Sequence, residues 1–260
     1  MALSLAPKPS RVRERVTAEE WQMRVDLAAC YRLCNLQGWE DLIFTHMSAR
    51  VPGSDGHYLI NPYGLLFDEV TASNLVKIAA DGTILEDELS MGYNPGGFTI
   101  HGAVHEGRAD AHCVIHLHTV AGVAVSCQKD GLLPLQQGSL MISADLTYHD
   151  YEGIALDLDE RERLIKNLGY KNNMILKNHG LLTVGETVGQ AFARIYALNR
   201  VCEIQVAAQA GGNADLAPLS VGMQQRVTGQ GRPAGRMATA NKAWAAYLRR
   251  LDKLDTSYKD

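Results

Sequence analysis

Residues 101–118 read HGAVHEGRADAHCVIHLH, a stretch that contains five of the nine histidines in this 260-residue chain. Residues 113–118 are apolar apart from their histidines, and their length and branched side chains predict a short buried strand. Alternate side chains of a strand share a face, so His116 and His118 would lie ~7 Å apart at the backbone and could converge on one ion. Neutral imidazole binds zinc and similar divalent metals well. The pair is a candidate metal site, with two ordinary strand histidines as the alternative.

The other histidines fall in two kinds of place. His179 lies in the turn Lys177-Asn178-His179-Gly180, between apolar strands predicted over 174–177 and 181–184. A histidine in such a turn faces a cleft at the end of a sheet, where ligands usually bind, although a plain turn residue is the alternative. His101 and His105 have helical spacing without an obvious third ligand. We therefore expect both to be ordinary helix residues, with His105 in solvent.

Helix and strand signals alternate along the rest of the chain. Thr17 and Glu20 form a capping box ahead of a helical pattern over 18–36. Further helices are predicted over 98–108, 119–127, 159–168, 188–210 and 239–254, and short strands over 44–51, 58–60, 75–79 and 83–85. Because several strands follow one another through turns, we expect one domain with a mixed or antiparallel sheet covered by helices.

Composition excludes several classes of protein. The chain is 46% hydrophobic and 21% charged, with net charge −4 and pI near 6.1, as is typical of a soluble globular protein. Mild acidity argues against nucleic acid and anionic membranes as partners, and no apolar run approaches the ~20 residues that span a bilayer. Five cysteines without a CxxC motif indicate free thiols and a cytoplasmic location. Residues 1–16, whose apolar stretch precedes the charges, read as a flexible arm rather than a secretory signal.

These motifs together resemble the class II aldolase/adducin head domain family. Residues 102–118 and 176–181 (LKNHGL) look like class II aldolases. Four further segments resemble the adducin head: 45–50 (THMSAR), 60–67 (INPYGLLF), 94–98 (NPGGF) and 148–153 (YHDYEG). The likeness covers residues 17–212 and leaves 213–260 as a C-terminal extension with a helix. It implies an α/β fold, namely a single-domain three-layer α/β/α arrangement with a central, largely antiparallel sheet, and a homotetramer with sites between subunits.

The resemblance also implies a metal site. In this family three histidines of this kind hold a catalytic divalent ion, usually zinc, and the motifs carry that role to His116, His118 and His179. We therefore expect one divalent ion per chain, with zinc as the first choice and iron or manganese as alternatives.

The chain departs from the sugar-phosphate aldolases of the family. Aligned on the His116/His118 pair, Gly97 stands where those enzymes have a catalytic glutamate, and Thr45-His46 replaces part of their phosphate-binding segment. The remaining acid/base candidates are His46, Tyr148 and His149, although a packed or surface loop is the alternative for the last two. The substrate-binding candidates are Arg50, Asn61 and Gly97, with an ordinary ion pair as the alternative for Arg50.

Three functions remain open at this point. The first is a metal-dependent carbon–carbon lyase, by retro-aldol cleavage or decarboxylation, on a small non-phosphorylated carboxylated carbonyl compound. The second is a non-haem Fe(II) oxygenase acting on an aromatic keto acid. The third is an adducin-like binding module without catalysis.

Overall fold

The computed structural model describes residues 11–154, 158–212, 216–217, 219–230 and 233–260. Its strands are β1 His46–Arg50, β2 Tyr58–Ile60, β3 Val76–Ile78, β4 Ile84–Glu86, β5 Cys113–Leu117, β6 Leu146–His149, β7 Asn173–Leu176 and β8 Gly180–Gly185. Within these residues they form one sheet in the order β4-β3-β2-β1-β5-β8-β7-β6. Its neighbouring strands are antiparallel, apart from the parallel pair of β6 and β7.

Helices cover both faces of this sheet. They are α1 Val12–Arg15, α2 Ala18–Leu36, α3 Pro95–Gly107, α4 Val120–Ser126, α5 Gln137–Ser143, α6 Glu160–Leu168, α7 Val188–Gln209, α8 Val221–Gln230 and α9 Pro233–Leu254. One apolar core joins the sheet to α2, α7 and α9, and a second joins its other face to α3 and α6. None of the helices among the described residues has the length and apolarity needed to cross a membrane.

Helix α2 fixes the position of β1, the strand beside β5. The Thr17 hydroxyl accepts the Glu20 amide at 3.1 Å and starts the helix. Further along α2, the buried Tyr31 hydroxyl accepts the Met47 amide at 2.7 Å and lies 2.6 Å from the Met47 carbonyl oxygen. These bonds tie the middle of β1 to α2.

The pairing of β1 with β5 decides which side chains share a face. His46 lies opposite His116, and Ser48 lies opposite Val114. Because alternate residues of a strand face the same side, His46, Ser48 and His116 all point toward the layer that contains α3. Met47 and Ile115 point instead into the core beneath α2 and α7.

The predicted fold class is confirmed: the chain has the α/β architecture with a largely antiparallel sheet between helical layers. The prediction missed α5, β6 and α8. Of the expected arm at 1–16, residues 1–10 lie outside the described residues, and the remainder contains α1 with a fully buried Val12. The division of the chain at residues 17 and 212 stays a prediction.

Candidate metal centre

His116, His118 and His179, called here the histidine triad, lie together at one end of the sheet. His116 belongs to β5, His118 follows the end of β5, and His179 lies in the turn between β7 and β8. Their ring centroids are 4.7 to 4.8 Å apart in all three pairs. One nitrogen from each ring lies within 4.8 Å of the others. The structure thus brings together the three residues that the sequence singled out as ligands.

The turn that carries His179 depends on a glycine. A Cβ atom on Gly180 would lie 2.6 Å from the Leu117 carbonyl oxygen and 3.0 Å from Cδ2 of His118. Asn178 has φ +56°, a left-handed conformation that asparagine adopts more readily than most residues. The strand ends can therefore approach closely enough for the three rings to meet.

Hydrogen bonds behind the triad fix the direction of two rings. Nδ1 of His116 lies 3.0 Å from the Leu181 carbonyl oxygen, and Nδ1 of His118 lies 3.1 Å from a carboxylate oxygen of Asp41. Since both partners only accept, each Nδ1 carries the hydrogen, and in the neutral form of each ring, which is the form that binds a metal, Nε2 carries a lone pair. These two Nε2 atoms lie 3.0 Å apart. Two lone pairs at this distance repel one another unless a cation lies between them, so the donor set fits a divalent metal.

Burial keeps two of the three rings neutral, those of His116 and His179. Desolvation, followed by the neighbouring histidines, lowers the pKa of His179 to about 4 and holds the pKa of His116 well below its ordinary value. A neutral imidazole offers a lone pair, which is the form that binds a metal. Asp41, which orients His118 from 77 residues away, carried no signal in the sequence.

His46 lies beside the triad in the notch left by Gly97. Its ring centroid is 5.5 Å from that of His116. A Cβ atom on Gly97, at the start of α3, would lie 2.6 Å from Cδ2 and 2.7 Å from Nε2 of His46. Both ring nitrogens of His46 are buried, and neither has a hydrogen-bond partner among the described residues. Burial, followed by the charges of His118 and His179, lowers its pKa to about 3.

His101 and His105 differ from the expectation of ordinary, partly solvated helix residues. Both side chains are buried: the exposed fraction is 0% for His105 and 2% for His101. Both hydrogen-bond to Ser48 of β1, from Oγ to Nδ1 of His101 at 2.6 Å and to Nε2 of His105 at 2.7 Å. The expectation that His105 lies in solvent is wrong, because a strand residue far away in the sequence supplies its partner.

Tyr148 and His149 lie on β6, and their polar atoms are already engaged. Nε2 of His149 lies 3.2 Å from a Glu160 carboxylate oxygen, and its Nδ1 lies 2.9 Å from the Asn167 amide nitrogen. The Tyr148 hydroxyl accepts the Leu132 amide at 3.0 Å, and burial raises its pKa. Neither residue contacts the triad through a described hydrogen bond. Their catalytic role stays a prediction that the geometry does not favour.

Arg50 and Asn61 are likewise held within the protein. The Arg50 guanidinium donates to the carbonyl oxygens of His105, Arg108 and Ala111. The Asn61 side chain lies 2.8 Å from the Tyr31 hydroxyl. Of the three predicted substrate-binding positions, only Gly97 lies against a residue that contacts the triad.

A cleft opens beside His179. It is lined by His149, Asp150, Tyr151, Glu152, Gly153, Glu160, Leu176, Lys177 and His179. Three of these side chains are carboxylates; Lys177 pairs with the exposed Asp150 at 2.7 Å, and Arg163 pairs with Glu152 at 2.6 Å. The approach to His179 is therefore polar, with carboxylates that are partly offset by cations.

Fold and site together define the class: an α/β/α domain with a histidine cluster at the end of its sheet that fits a divalent cation. The chain belongs to the class II aldolase and adducin N-terminal domain family, whose model matches residues 25–206.

Proteins named as aldolases and a protein named as an adducin both resemble the chain. An aldolase II superfamily protein from Pseudomonas syringae is 52% identical, with a TM-score of 0.90 over 96% of this chain and 99% of that one. L-fuculose 1-phosphate aldolase from Glaciozyma antarctica PI12 is 25% identical, with a TM-score of 0.80 over 98% and 97% of the two chains. Alpha-adducin from Mus musculus is 44% identical over 89% of this chain, which spans 33% of the adducin.

Proposed function

We propose that the protein is a divalent-metal-dependent carbon–carbon lyase. It acts by retro-aldol cleavage or decarboxylation on a small, non-phosphorylated carboxylated carbonyl compound. The observation that carries this proposal is the pair of Nε2 lone pairs on His116 and His118, 3.0 Å apart, with His179 beside them. Similarity over nearly the whole chain to a protein named as an aldolase supports the reaction class.

His116, His118 and His179 would hold one divalent ion, with zinc as the first choice and iron or manganese as alternatives. When bound, the ion supplies a Lewis acid that polarises a carbonyl and stabilises the negative charge released as a carbon–carbon bond breaks. The chain itself contributes the orientation of the ligands: Asp41 and the Leu181 carbonyl hold the His118 and His116 rings with their lone pairs facing inward.

His46 is the acid/base candidate that the geometry favours. It contacts His116, lies where a side chain at residue 97 would otherwise be, and has no competing hydrogen bond among the described residues. Its low pKa keeps the ring neutral at neutral pH, so one ring nitrogen has a lone pair that can accept a hydrogen bond from a substrate hydroxyl. His46 would thus take the place of the carboxylate that Gly97 lacks.

The charges of the cleft support a carboxylate over a phosphate. Asp150, Glu152 and Glu160 line it together with Lys177, and Arg163 offsets the charge of Glu152 alone. A phosphate dianion would meet more repulsion there than a single carboxylate, which Lys177 can bind by leaving the exposed Asp150. Since Arg50 is bound to backbone carbonyls, Lys177 is the cation that we assign to the substrate carboxylate.

Elemental analysis of untagged protein, purified without added metal, tests the proposal. We expect about one zinc per chain in the native protein, and loss of the metal in His116→Ala, His118→Ala and His179→Ala with circular dichroism unchanged. Small 2-keto and hydroxy acids are then screened for cleavage by the zinc-loaded enzyme. Zinc retained in all three variants would defeat the ligand assignment, and oxygen-sensitive iron in the native protein would favour an oxygenase instead.

An adducin-like binding module is the second candidate, supported by the 44% identity to alpha-adducin. It predicts that the native protein binds no metal, even after reconstitution with zinc, so the same measurement separates the two functions.

We also propose a homotetramer in the cytoplasm. Apolar side chains are exposed close to the triad: Val120 follows His118 by two residues and is 89% exposed, and Leu42 follows Asp41 and is 67% exposed. A partner subunit over this rim would bury them. Light scattering on the purified protein measures the assembly directly, and a monomer would contradict the proposal.

A further inference from the structure

Helix α4 lies beside the histidine triad, although the proposed reaction gives it no role. Two members of the triad lie outside the strands: β5 ends at Leu117, one residue before His118, and His179 lies in the turn between β7 and β8. Backbone pairing within the sheet therefore fixes His116 and leaves the other two ligands to be held from elsewhere. Such support matters, because small displacements of a ligand weaken the binding of a metal.

The first contact of α4 is with the residue that follows His118. The Thr119 hydroxyl accepts the Gly122 amide at 3.1 Å, which caps α4, and donates its own hydrogen to Oδ1 of Asn199 at 2.5 Å. Asn199 lies on α7, is 1% exposed, and donates from Nδ2 to a carboxylate oxygen of Glu203 at 2.8 Å. Since a carboxylate only accepts, this bond turns Oδ1 of Asn199 toward Thr119. The start of α4 is thus anchored to α7.

Two further contacts of α4 lead to the other ligands. A Cβ atom on Gly122 would lie 2.6 Å from Cγ and Cδ1 of Leu181, so the helix touches the residue whose carbonyl oxygen orients His116. The carbonyl of Ser126, the last residue of α4, accepts the Asn178 amide at 3.0 Å, one residue before the third ligand. One short helix therefore contacts a neighbour of each member of the triad.

We propose that α4 holds the triad in its metal-binding arrangement, and that Thr119 and Asn199 are positioning residues that lock α4 onto α7. Without the Thr119 hydroxyl, the first turn of α4 loses its cap and the buried Oδ1 of Asn199 loses its donor. The helix then shifts, and the backbone at His118 and His179 shifts with it. The inference rests on the proposed function where it concerns a bound metal, whereas the coupling between the two ends of α4 needs no metal.

Hydrogen exchange of the metal-free protein, followed by nuclear magnetic resonance, tests this coupling. Thr119→Val keeps the shape of the side chain and removes its hydroxyl. The amide of Asn178, at the opposite end of α4, should then exchange about fivefold faster, which is the change in an opening equilibrium that a lost helix cap typically causes. Thr119→Ser, which keeps the hydroxyl, should restore the native rate. A merely local loss of the cap would speed exchange at the start of α4 and leave the Asn178 amide unchanged.

Zinc titration of the same variants against a chelating dye measures the consequence for the metal. Thr119→Val and Asn199→Leu should bind zinc about tenfold more weakly than the native protein, the lower end of the effect of groups outside the ligand set. Thr119→Ser should bind zinc as the native protein does. The visible spectrum of bound Co²⁺, which depends on the geometry of its ligands, should change in Thr119→Val and not in Thr119→Ser.

Thr183→Val is the matched control. Thr183 is a fully buried threonine of β8 whose hydroxyl also donates to α7, to the Ala191 carbonyl oxygen at 3.1 Å. Its loss should lower the stability of the protein and leave both the Asn178 exchange rate and the zinc affinity unchanged.

Native exchange of the Asn178 amide in folded Thr119→Val, or equal effects of Thr119→Val and Thr183→Val, would overturn the inference. If Thr119→Val does not fold, the exchange rate of Asn178 in Asn199→Leu decides. If the native protein binds no zinc, the proposed lyase fails, and the exchange rates still decide the role of α4.

Discussion

Two clusters of histidines differ in how their ring nitrogens are used: the histidine triad, and the hydrogen-bonded cluster of Ser48, His101 and His105, called here the serine relay. In the triad, acceptors behind the rings turn two Nε2 lone pairs toward one point, 3.0 Å apart. In the relay, every hydrogen along the line from His101 to Ala111 meets an acceptor. The hydrogen-bond partner of each ring therefore decides whether a histidine cluster presents lone pairs to a cation or uses its nitrogens in internal hydrogen bonds. His46 lies between the two clusters and touches both.

The largest expected effect comes from acid, which acts on both clusters. Burial lowers the pKa of His46 and His105 to about 3 and that of His179 to about 4. Below the unfolded value near 6.5, the unfolded chain binds protons that the folded chain refuses, so the free energy of unfolding falls as the pH drops toward 4. Each such histidine contributes about 1.4 kcal/mol per pH unit in that window.

Urea unfolding of the zinc-free protein at about pH 7 and about pH 5.5 measures this fall. Adding zinc should stabilise the protein at neutral pH through the triad alone. Equal stability at the two pH values would show that the clusters are not buried neutral histidines.

A substitution of Asp41, which bonds only to the triad, should weaken metal binding and leave the hydrogen bonds of Ser48, His101 and His105 intact. Asp41→Asn keeps an oxygen near Nδ1 of His118 but removes its charge, and outer partners of this kind are worth about 10–100-fold in metal affinity. Zinc competition against a chelating dye measures the loss. Asp55→Asn, which removes an exposed carboxylate, should bind zinc as the native protein does. Native affinity in Asp41→Asn would show that the aspartate does not orient the ring.

A change at Gly97 affects stability through His46, the residue between the two clusters. In Gly97→Ala the new methyl group would lie 2.6 Å from the His46 ring, and such overpacking typically costs about 1–3 kcal/mol. In Gly102→Ala, on the same helix, the nearest atom is the far end of the long Arg161 side chain at 3.2 Å, so helix propensity should dominate and stabilise the protein by up to about 1 kcal/mol. Thermal unfolding of both variants measures the difference. Equal stabilities would mean that His46 moves freely in its notch.

Local patterns in the sequence predicted much of this fold. Thr17 marked the start of α2 at its observed position, because its hydroxyl caps an amide only three residues away. The Glu20 carboxylate does not complete the predicted capping box, since it pairs with Arg24 and Lys77 instead. Helix α5 was missed because glutamine at residue 136, an unusual cap, takes the role that serine or threonine usually plays. Strand β6 was missed because its only described sheet neighbour, β7, lies more than twenty residues further along the chain.

In the site, too, the features set by nearby residues were predicted and those set by residues far away in the sequence were not. The alternation of His116 and His118 predicted that they share a face, and the structure brings them together with His179. The burial of His101 and His105 could not be predicted, because Ser48 lies 53 and 57 residues away from them. Arg50 looked free to bind a substrate because a sequence does not show backbone carbonyls, which are what it binds.

Gly180 has a consequence for anyone who wishes to re-engineer this protein. Since a Cβ atom there would strike the Leu117 carbonyl and crowd His118, residue 180 cannot be randomised to widen the metal centre. Residues 150–152 line the cleft and have exposed side chains, whereas Gly153, at φ +108°, has a backbone conformation that other residues rarely adopt. A combinatorial library aimed at larger ligands would therefore vary residues 150–152 and leave Gly153 and the strand ends untouched.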